Sequence, residues 1–290
     1  MKFLALSILL GATLFGAIFV TLREGTHAIT SSSPLTGPGE PGKPADGVRS
    51  PVIVELFTSE GCSSCPPADA ALIQLQKAQP VAGAEIIALS EHVDYWNYIG
   101  WSDPFSSATF SARQETYAQA FKQERIYTPQ MIVDGKTEFV GNSLEKARDA
   151  ITKAAESPKA DVKIMIPQTT AELNEQAIKL GVSVKNVPSI TKGDVAEVIL
   201  AITEDNLSSN VSRGENTGRK LAHTAVVREI RALGGVDPST RTFDSETTLA
   251  PVSGWKREDL RIVAFVQERA HRRVLGAAVS RLSRTQPRNR

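Results

Sequence analysis

The strongest constraint on the fold is a short segment, Cys62-Ser63-Ser64-Cys65, which holds both cysteines of the chain. The β-branched, apolar run Val52–Phe57 precedes it and predicts a buried strand, and Pro66 begins a run that is compatible with a helix. Because the N–H groups and the dipole of a helix N-terminus favour negative charge, the thiol of Cys62 should ionise more easily than an ordinary thiol. We expect the Cys62 thiolate to attack a disulfide and Cys65 to resolve the mixed disulfide.

Two other interpretations of the cysteine pair stay open. The pair could be a permanent structural disulfide, although closing so short a loop adds little entropic stability. It could also be half of a metal site, but zinc normally takes four ligands and the sequence has no second cysteine pair. Redox chemistry is therefore the favoured interpretation, and no resident metal or other cofactor is predicted.

The N-terminal part of the chain predicts export. Residues 1–24 contain an uncharged apolar run, Phe3–Leu22, preceded by Lys2. The run is about as long as a membrane span and lacks a clean Ala-x-Ala cleavage site, so a signal sequence and a membrane anchor are both expected alternatives. In either case the folded part should lie on the periplasmic side, secreted or anchored. Residues 25–50 are rich in Pro, Gly and Ser, which predicts a disordered linker.

Residues 51–158 alternate between strand and helix patterns, which predicts an α/β domain. Buried strands are predicted from short β-branched runs, and helices from apolar residues at helical spacing. The Asp134-Gly135 dipeptide is the strongest hairpin signal in the chain. The predicted elements in order are strand Val52–Phe57, helix Pro66–Gln79, strand Glu85–Ser90, helix Ser106–Arg125, strands Gln130–Val133 and Thr137–Val140, and helix Leu144–Ala155.

Two side chains near the predicted strand ends are candidates for tuning the thiols. His92 follows the strand next to the one that leads to Cys62, so the two residues should lie close together, and His92 could shuttle protons or hold a metal. Glu55 lies inside an apolar strand, where burial would raise the pKa of its carboxyl and let it accept a proton from Cys65. A hydrogen-bonded structural histidine and a salt-bridged carboxylate at the rim are the alternatives.

Several motifs resemble a known family. The segments Glu55–Asp69, His92–Trp96, Gly100-Trp101 and Tyr127–Met131 are similar to an uncharacterised family of secreted bacterial proteins, domain of unknown function 1223, which is assigned to the thioredoxin-like superfamily. The order of the predicted elements also resembles thioredoxin. The resemblance implies a thioredoxin-like domain and export, but no substrate. It further implies that Thr128-Pro129 has a cis peptide bond and borders the substrate groove beside the cysteine pair.

Residues 160–282 differ in pattern. Short runs with period-two alternation, separated by Gly, Asn and Ser turns, predict an all-β, sandwich-like domain. The strand candidates are Asp161–Pro167, Ala177–Lys185, Asp194–Thr203, Leu221–Leu233, Arg261–Glu268 and Val274–Ser280. The loop Ser212–Lys220, with His223 and Arg228 beyond it, resembles another motif of the same family. Its basic side chains suit an acidic partner, but a solvated turn is the favoured interpretation. Residues 283–290 predict a basic tail.

The function predicted from these features is an exported thiol–disulfide oxidoreductase that acts on protein thiols or disulfides. Cys62 and Cys65 are its catalytic residues, with Thr128 and Pro129 at the groove. The alternative is a copper(I)-binding metallochaperone or client-binding module that uses the same cysteines, since soft thiolates select copper(I). A formal net charge of +1 argues against a nucleic-acid partner. The oligomeric state is not predicted.

Overall fold

The computed structural model describes residues 49–166, 177–250 and 252–282, all of which belong to one compact unit. The predicted signal or anchor segment, the linker up to residue 48 and the basic tail at 283–290 lie outside these residues. No helix within the described ranges is both long enough and apolar enough to cross a membrane.

The first half contains the elements that the sequence predicts, in the same order. They are strand β1 (Ser50–Thr58), helix α1 (Pro66–Ala78), strand β2 (Ala84–His92), helix α2 (Ala108–Phe121), strands β3 (Gln130–Val133) and β4 (Thr137–Val140), and helix α3 (Leu144–Ala155). Helix α2 is shorter than predicted. It begins after Ser107, whose hydroxyl accepts a hydrogen bond from the Thr109 N–H, and it ends where Lys122 adopts a left-handed conformation with φ of 56°.

The second half is built from strands. They are β5 (Asp161–Met165), β6 (Ile178–Lys185), β7 (Ala196–Glu204), β8 (Leu207–Asn210), β9 (Lys220–His223), β10 (Val226–Gly235), β11 (Phe243–Leu249), β12 (Leu260–Glu268) and β13 (Val274–Arg281). The prediction of one strand over Leu221–Leu233 is wrong, because Ala225 has a positive φ of 47° and separates β9 from β10. The sequence does not predict strands β8 and β11, since Ser, Thr, Asp, Glu and Asn make up most of their residues.

Strands from both halves form one eight-stranded sheet with the order β13-β12-β7-β10-β2-β1-β3-β4. Strands β1 and β2 are parallel and are paired over their whole length, and the link to the second half is a short parallel contact between Ser90 of β2 and Val226 of β10. A three-stranded sheet (β11-β6-β5) and a two-stranded ribbon (β8-β9) complete the structure. The sequence alone does not predict this shared sheet. The thioredoxin-like and sandwich-like domains at 51–158 and 160–282 stay predictions.

The two faces of the large sheet have separate cores. On one face Val52, Val54 and Leu56 of β1 pack with apolar residues of α1 and α3. On the other face Ile53 and Phe57 pack with apolar residues of α2 and of the second half. The three-stranded sheet packs against β7 and β12 through a further apolar core. Because neighbouring residues of a strand point to opposite faces, this arrangement decides which polar side chains approach the cysteines.

Candidate functional site

The cysteine pair lies at the turn between β1 and α1, as the sequence predicts. Cys62 and Cys65 form a disulfide, and Cys65 is the residue before the first helical turn of α1, where its carbonyl oxygen accepts hydrogen bonds from the N–H groups of Ala68 and Asp69 at 2.8 and 3.1 Å. Both cysteines are fully buried, although Ser63 and Ser64 between them are exposed. The pair is therefore positioned for thiol chemistry at a helix N-terminus, but it is covered.

A loop of the second half of the chain is hydrogen-bonded to the cysteine loop. We call residues 213–219, between β8 and β9, the strap. The side-chain amide of Asn216 donates hydrogen bonds to the carbonyl oxygens of Glu60 and Cys62 at 2.9 and 3.0 Å. The Ser63 N–H donates to Oε2 of Glu215 at 3.0 Å. Asn216 is only 1% exposed, so the interpretation of this loop as a solvated turn is wrong at its centre.

The loop after β2, residues 93–107, is rich in aromatic residues and forms a second wall; we call it the aromatic loop. A Cβ on Gly61 would lie 3.0 Å from Cβ of Trp96, so the cysteine loop and this tryptophan are in contact. Trp96 Nε1 donates to Oγ1 of Thr128 at 2.8 Å. The peptide bond between Thr128 and Pro129 is cis, which confirms the prediction. Tyr98, in the same aromatic loop, is 84% exposed. Trp96 thus links the cysteine loop to the Thr128-Pro129 segment.

His92 is buried beside an aspartate. Its Nδ1 donates to Oδ2 of Asp103 at 2.7 Å, and the same oxygen accepts the Glu60 N–H at 2.8 Å. Burial by itself would lower the pKa of His92, but the charge and hydrogen bond of Asp103 outweigh it and raise the pKa above its ordinary value. Burial likewise raises the pKa of Asp103, and the charge of His92 outweighs it and lowers the pKa. His92 is thus held in an ion pair on the α1 side of the sheet.

A second histidine, which the sequence analysis did not single out as a candidate site residue, lies against the first. His223 Nε2 donates to Oε1 of Glu60 at 2.9 Å, and Trp101 Nε1 donates to Oε2 of the same carboxylate at 2.8 Å. The rings of His92 and His223 are 4.8 Å apart between centroids. Within the described part of the chain, the other ring nitrogen of each, Nε2 of His92 and Nδ1 of His223, is buried without a hydrogen-bond partner.

Asp69 completes this buried polar group and was also missed. It lies one turn after Cys65 on α1, is 6% exposed, and accepts a hydrogen bond from the Thr58 hydroxyl at 2.9 Å. Burial raises the pKa of Asp69, an effect that the charges of His223 and His92 oppose. The available signal was an acidic residue four positions after the second cysteine, since residues i and i+4 share one face of a helix.

The structure does not bring Glu55 to the cysteines. Glu55 alternates with Leu56 along β1 and faces α2, on the side of the sheet opposite α1. Its Oε2 accepts a hydrogen bond from Arg113 Nε at 2.7 Å, and its Oε1 accepts one from the Tyr117 hydroxyl. Burial raises the pKa of Glu55, but the charge and hydrogen bond of Arg113 outweigh it and lower the pKa. This geometry gives Glu55 a structural salt bridge.

One cluster elsewhere has the composition of a metal site. Among the described residues, Asp194, Glu268 and His271 bring three possible ligand atoms within 4.8 Å of one another. The Asp194 carboxylate already accepts hydrogen bonds from the N–H groups of Val195, Ala270 and His271. Glu268 is likewise bonded by Thr191 and Arg273. These carboxylates therefore tie a loop to the β12–β13 turn, and the cluster contains neither cysteine.

Comparisons with known proteins give a family and a fold. A family model described as "Protein of unknown function (DUF1223)" matches residues 53–267. Protein AGR_C_4864 from Agrobacterium tumefaciens has 23% identity and a TM-score of 0.59, covering 83% of this chain and 99% of that one. HBP35 of Porphyromonas gingivalis has 15% identity and a TM-score of 0.60, covering 83% and 78%. No curated protein matches the chain. Identities this low support a shared fold alone.

Proposed function

The chain belongs to the DUF1223 family of proteins of unknown function. We propose that it is a thiol–disulfide oxidoreductase acting on protein thiols or disulfides. The observation that carries the proposal is the position of the Cys62–Cys65 disulfide, which lies in the turn between a buried strand and the start of α1. A helix N-terminus stabilises a thiolate, and a second thiol three residues later lets a mixed disulfide be resolved within the protein. Asp69 and the two histidines add buried groups that can hold protons nearby.

The proposed exchange proceeds in two steps that balance. A client thiolate attacks Sγ of Cys62, a client–Cys62 bond forms, and the Cys62–Cys65 bond breaks with its electron pair leaving on Cys65. A second client thiolate then attacks the client sulfur of this mixed disulfide, and Cys62 leaves as a thiolate. The client loses two electrons and the cysteine pair gains two. The reverse sequence, starting from the reduced pair, reduces a client disulfide.

The proton that Cys65 takes when it leaves is assigned to Asp69. The two residues are one helical turn apart, and the Asp69 N–H donates to the Cys65 carbonyl oxygen at 3.1 Å. Because burial raises the pKa of Asp69, its carboxyl can carry a proton at a higher pH than an exposed aspartate can. Asp69 thus takes the role that the sequence analysis gave to Glu55.

The test is the reduction potential of the cysteine pair together with trapping of a client. The full chain is equilibrated in glutathione buffers, and a potential between about −120 and −270 mV supports the proposal. A value well below about −300 mV marks a structural disulfide and overturns it. The Cys65→Ser variant should accumulate mixed disulfides with clients through Cys62, whereas Cys62→Ser, the matched control, should accumulate far fewer.

A second candidate function, binding of copper(I), has one observation in its favour. Nε2 of His92 and Nδ1 of His223 are buried and unpartnered within the described ranges, while each ring is oriented by a carboxylate, which is how metal-binding histidines are commonly held. The reduced protein is titrated with copper(I) against a competing chelator. Tight retention that is lost in both Cys65→Ser and His223→Ala supports this alternative.

We also propose that the protein is exported and that residues 51–158 have a thioredoxin-like fold. The apolar run Phe3–Leu22 supports export, and the element order β1-α1-β2-α2-β3-β4-α3 supports the fold. Cell fractionation of the full chain and of a chain that lacks residues 2–22 tests export. Recovery of both chains in the cytoplasm in equal amounts would contradict export.

A further inference from the structure

We propose that the strap, residues 213–219, is a cover that excludes small thiols and disulfides from Cys62 and that a protein client has to displace. This inference rests on the proposed function, because it names the kind of partner that the same cysteine pair accepts. It is carried by the contacts of Asn216 and Glu215 with the cysteine loop and by the complete burial of Cys62 in that loop.

The strap satisfies the main-chain groups that a client would otherwise use. The Cys62 carbonyl and the Ser63 N–H form the peptide group that follows Cys62, and both are bonded to strap side chains, those of Asn216 and Glu215. Because the two groups of a trans peptide point in opposite directions, a replacement partner has to reach both sides of this peptide, and a protein surface can supply an acceptor on one side and a donor on the other. A protein client can therefore replace the hydrogen bonds that it breaks. A small disulfide has fewer such groups and replaces fewer of them.

The strap is a loop that is closed at its base and largely exposed. Its base is closed by two hydrogen bonds, from the Val211 N–H to the Arg219 carbonyl at 2.9 Å and from the Gly218 N–H to the Val211 carbonyl at 2.8 Å. Val211 is buried and anchors this base, whereas most of the strap beyond it is exposed. Apart from Asn216, the strap buries little side-chain surface. A segment held by few buried contacts opens at a small fraction of the free energy of global unfolding.

The negative charge of Glu215 also lowers the reactivity of Cys62, as the cover does. Its carboxylate accepts a hydrogen bond from the Ser63 N–H at 3.0 Å, so it lies against the residue next to Cys62. Hydrogen bonds from Ser63 lower the pKa of Glu215, so the group is held in its charged form. A nearby negative charge disfavours a second one. Opening of the strap therefore removes both a steric block and a repulsive charge.

The experiment measures access to Cys62 in the full chain carrying Cys65→Ser, so that only one thiol reacts. The rates of alkylation by iodoacetamide and of mixed-disulfide formation with glutathione disulfide are compared in this background with and without Asn216→Ala. We expect both rates to rise about tenfold, the order of factor that the loss of two ordinary hydrogen bonds gives. Ser212→Ala, an exposed position just outside the strap, is the matched control and should leave both rates unchanged.

Two further variants control for misfolding. Asn216→Leu keeps roughly the size of the side chain and adds no charge, but it cannot donate to the two carbonyl oxygens, and Glu215→Gln removes only the charge. Both should raise the alkylation rate while the urea midpoint stays near that of the parent. Rates within twofold of the parent in Asn216→Ala and Asn216→Leu would overturn the proposal. Because alkylation needs no client, this result is distinguishable from a failure of the oxidoreductase proposal, which is measured by potential and trapping.

Discussion

Replacing Glu55 and Glu91 by glutamine, one at a time, distinguishes a structural carboxylate from a redox-tuning one. The two residues lie on the neighbouring strands β1 and β2, are both fully buried, and approach the same guanidinium. Arg113 Nε lies 2.7 Å from Glu55 Oε2 and 3.3 Å from Glu91 Oε1. Glu55 also accepts a hydrogen bond from Tyr117, whereas neither Glu91 oxygen has a hydrogen-bond partner among the described residues. Each variant is thus the matched control of the other.

The charges of the two carboxyls differ, so the substitutions should have opposite effects. The charge of Arg113 outweighs burial and lowers the pKa of Glu55, so Glu55 is ionised at neutral pH. Burial raises the pKa of Glu91 well above its ordinary value, an effect that Arg113 only partly opposes. Glu55→Gln leaves the Arg113 charge without its main partner and should cost about 3–5 kcal/mol at pH 7, toward the lower end if Glu91 then ionises.

Glu91→Gln should be neutral or stabilising at pH 7. An acid whose folded-state pKa is raised costs no stability below its unfolded value of about 4.5, and the cost grows as the pH rises toward the folded-state pKa. Glutamine cannot ionise, so the variant should gain on the parent between pH 4.5 and 7 and match it below pH 4.5. Its stability should also depend less on pH across that range.

Urea unfolding of the full chain at pH 4 and pH 7 measures both effects, and glutathione equilibration measures the reduction potential of each variant. We expect the reduction potential of Glu55→Gln to equal that of the parent within about 10 mV, because the Glu55 carboxyl faces away from α1. On this scale, 30 mV corresponds to about 1.4 kcal/mol. Equal destabilisation by both variants would refute a structural role of Glu55, and so would a shifted potential of Glu55→Gln with unchanged unfolding.

Three further predictions concern single positions. Asp69→Asn should slow disulfide exchange at pH 7 by about tenfold or more and flatten its pH profile, while an equal loss at every pH would indicate only a structural role. Gly135→Ala should lower stability by more than Gly83→Ala, measured by urea unfolding. Both glycines have positive φ, but a Cβ at Gly135 would overlap the Arg272 carbonyl oxygen, whereas a Cβ at Gly83 has open space. The raised pKa of His92 stabilises the folded protein fully below about pH 6.5, and this stabilisation is lost as the pH rises through the folded-state pKa. Asp103→Asn should remove it, so the urea midpoint of the variant should vary less between pH 5.5 and 8 than that of the parent.

The sequence pattern does not distinguish the two faces of β1. The apolar run through Val52–Phe57 predicts a strand buried on both sides, and the structure has such a strand. Alternation shows that Glu55 and Leu56 point to opposite faces, but a run that is buried on both sides does not reveal which face α1 covers. The assignment of Glu55 to the cysteines went wrong at this point. Only the packing of Leu56 against α1, and of its neighbours against α2, decides it.

Short-range sequence signals account for the local chemistry of this protein. A β-branched run, a Cys-x-x-Cys segment and prolines at a helix start place two thiols at a strand-to-helix turn, because each signal acts over a few residues. The groups that surround the thiols come from distant parts of the chain. Asn216 is 154 residues from Cys62, and His223 is 163 residues from Glu60. Such contacts depend on how the sheet of the second half joins β2, and no local period encodes that junction.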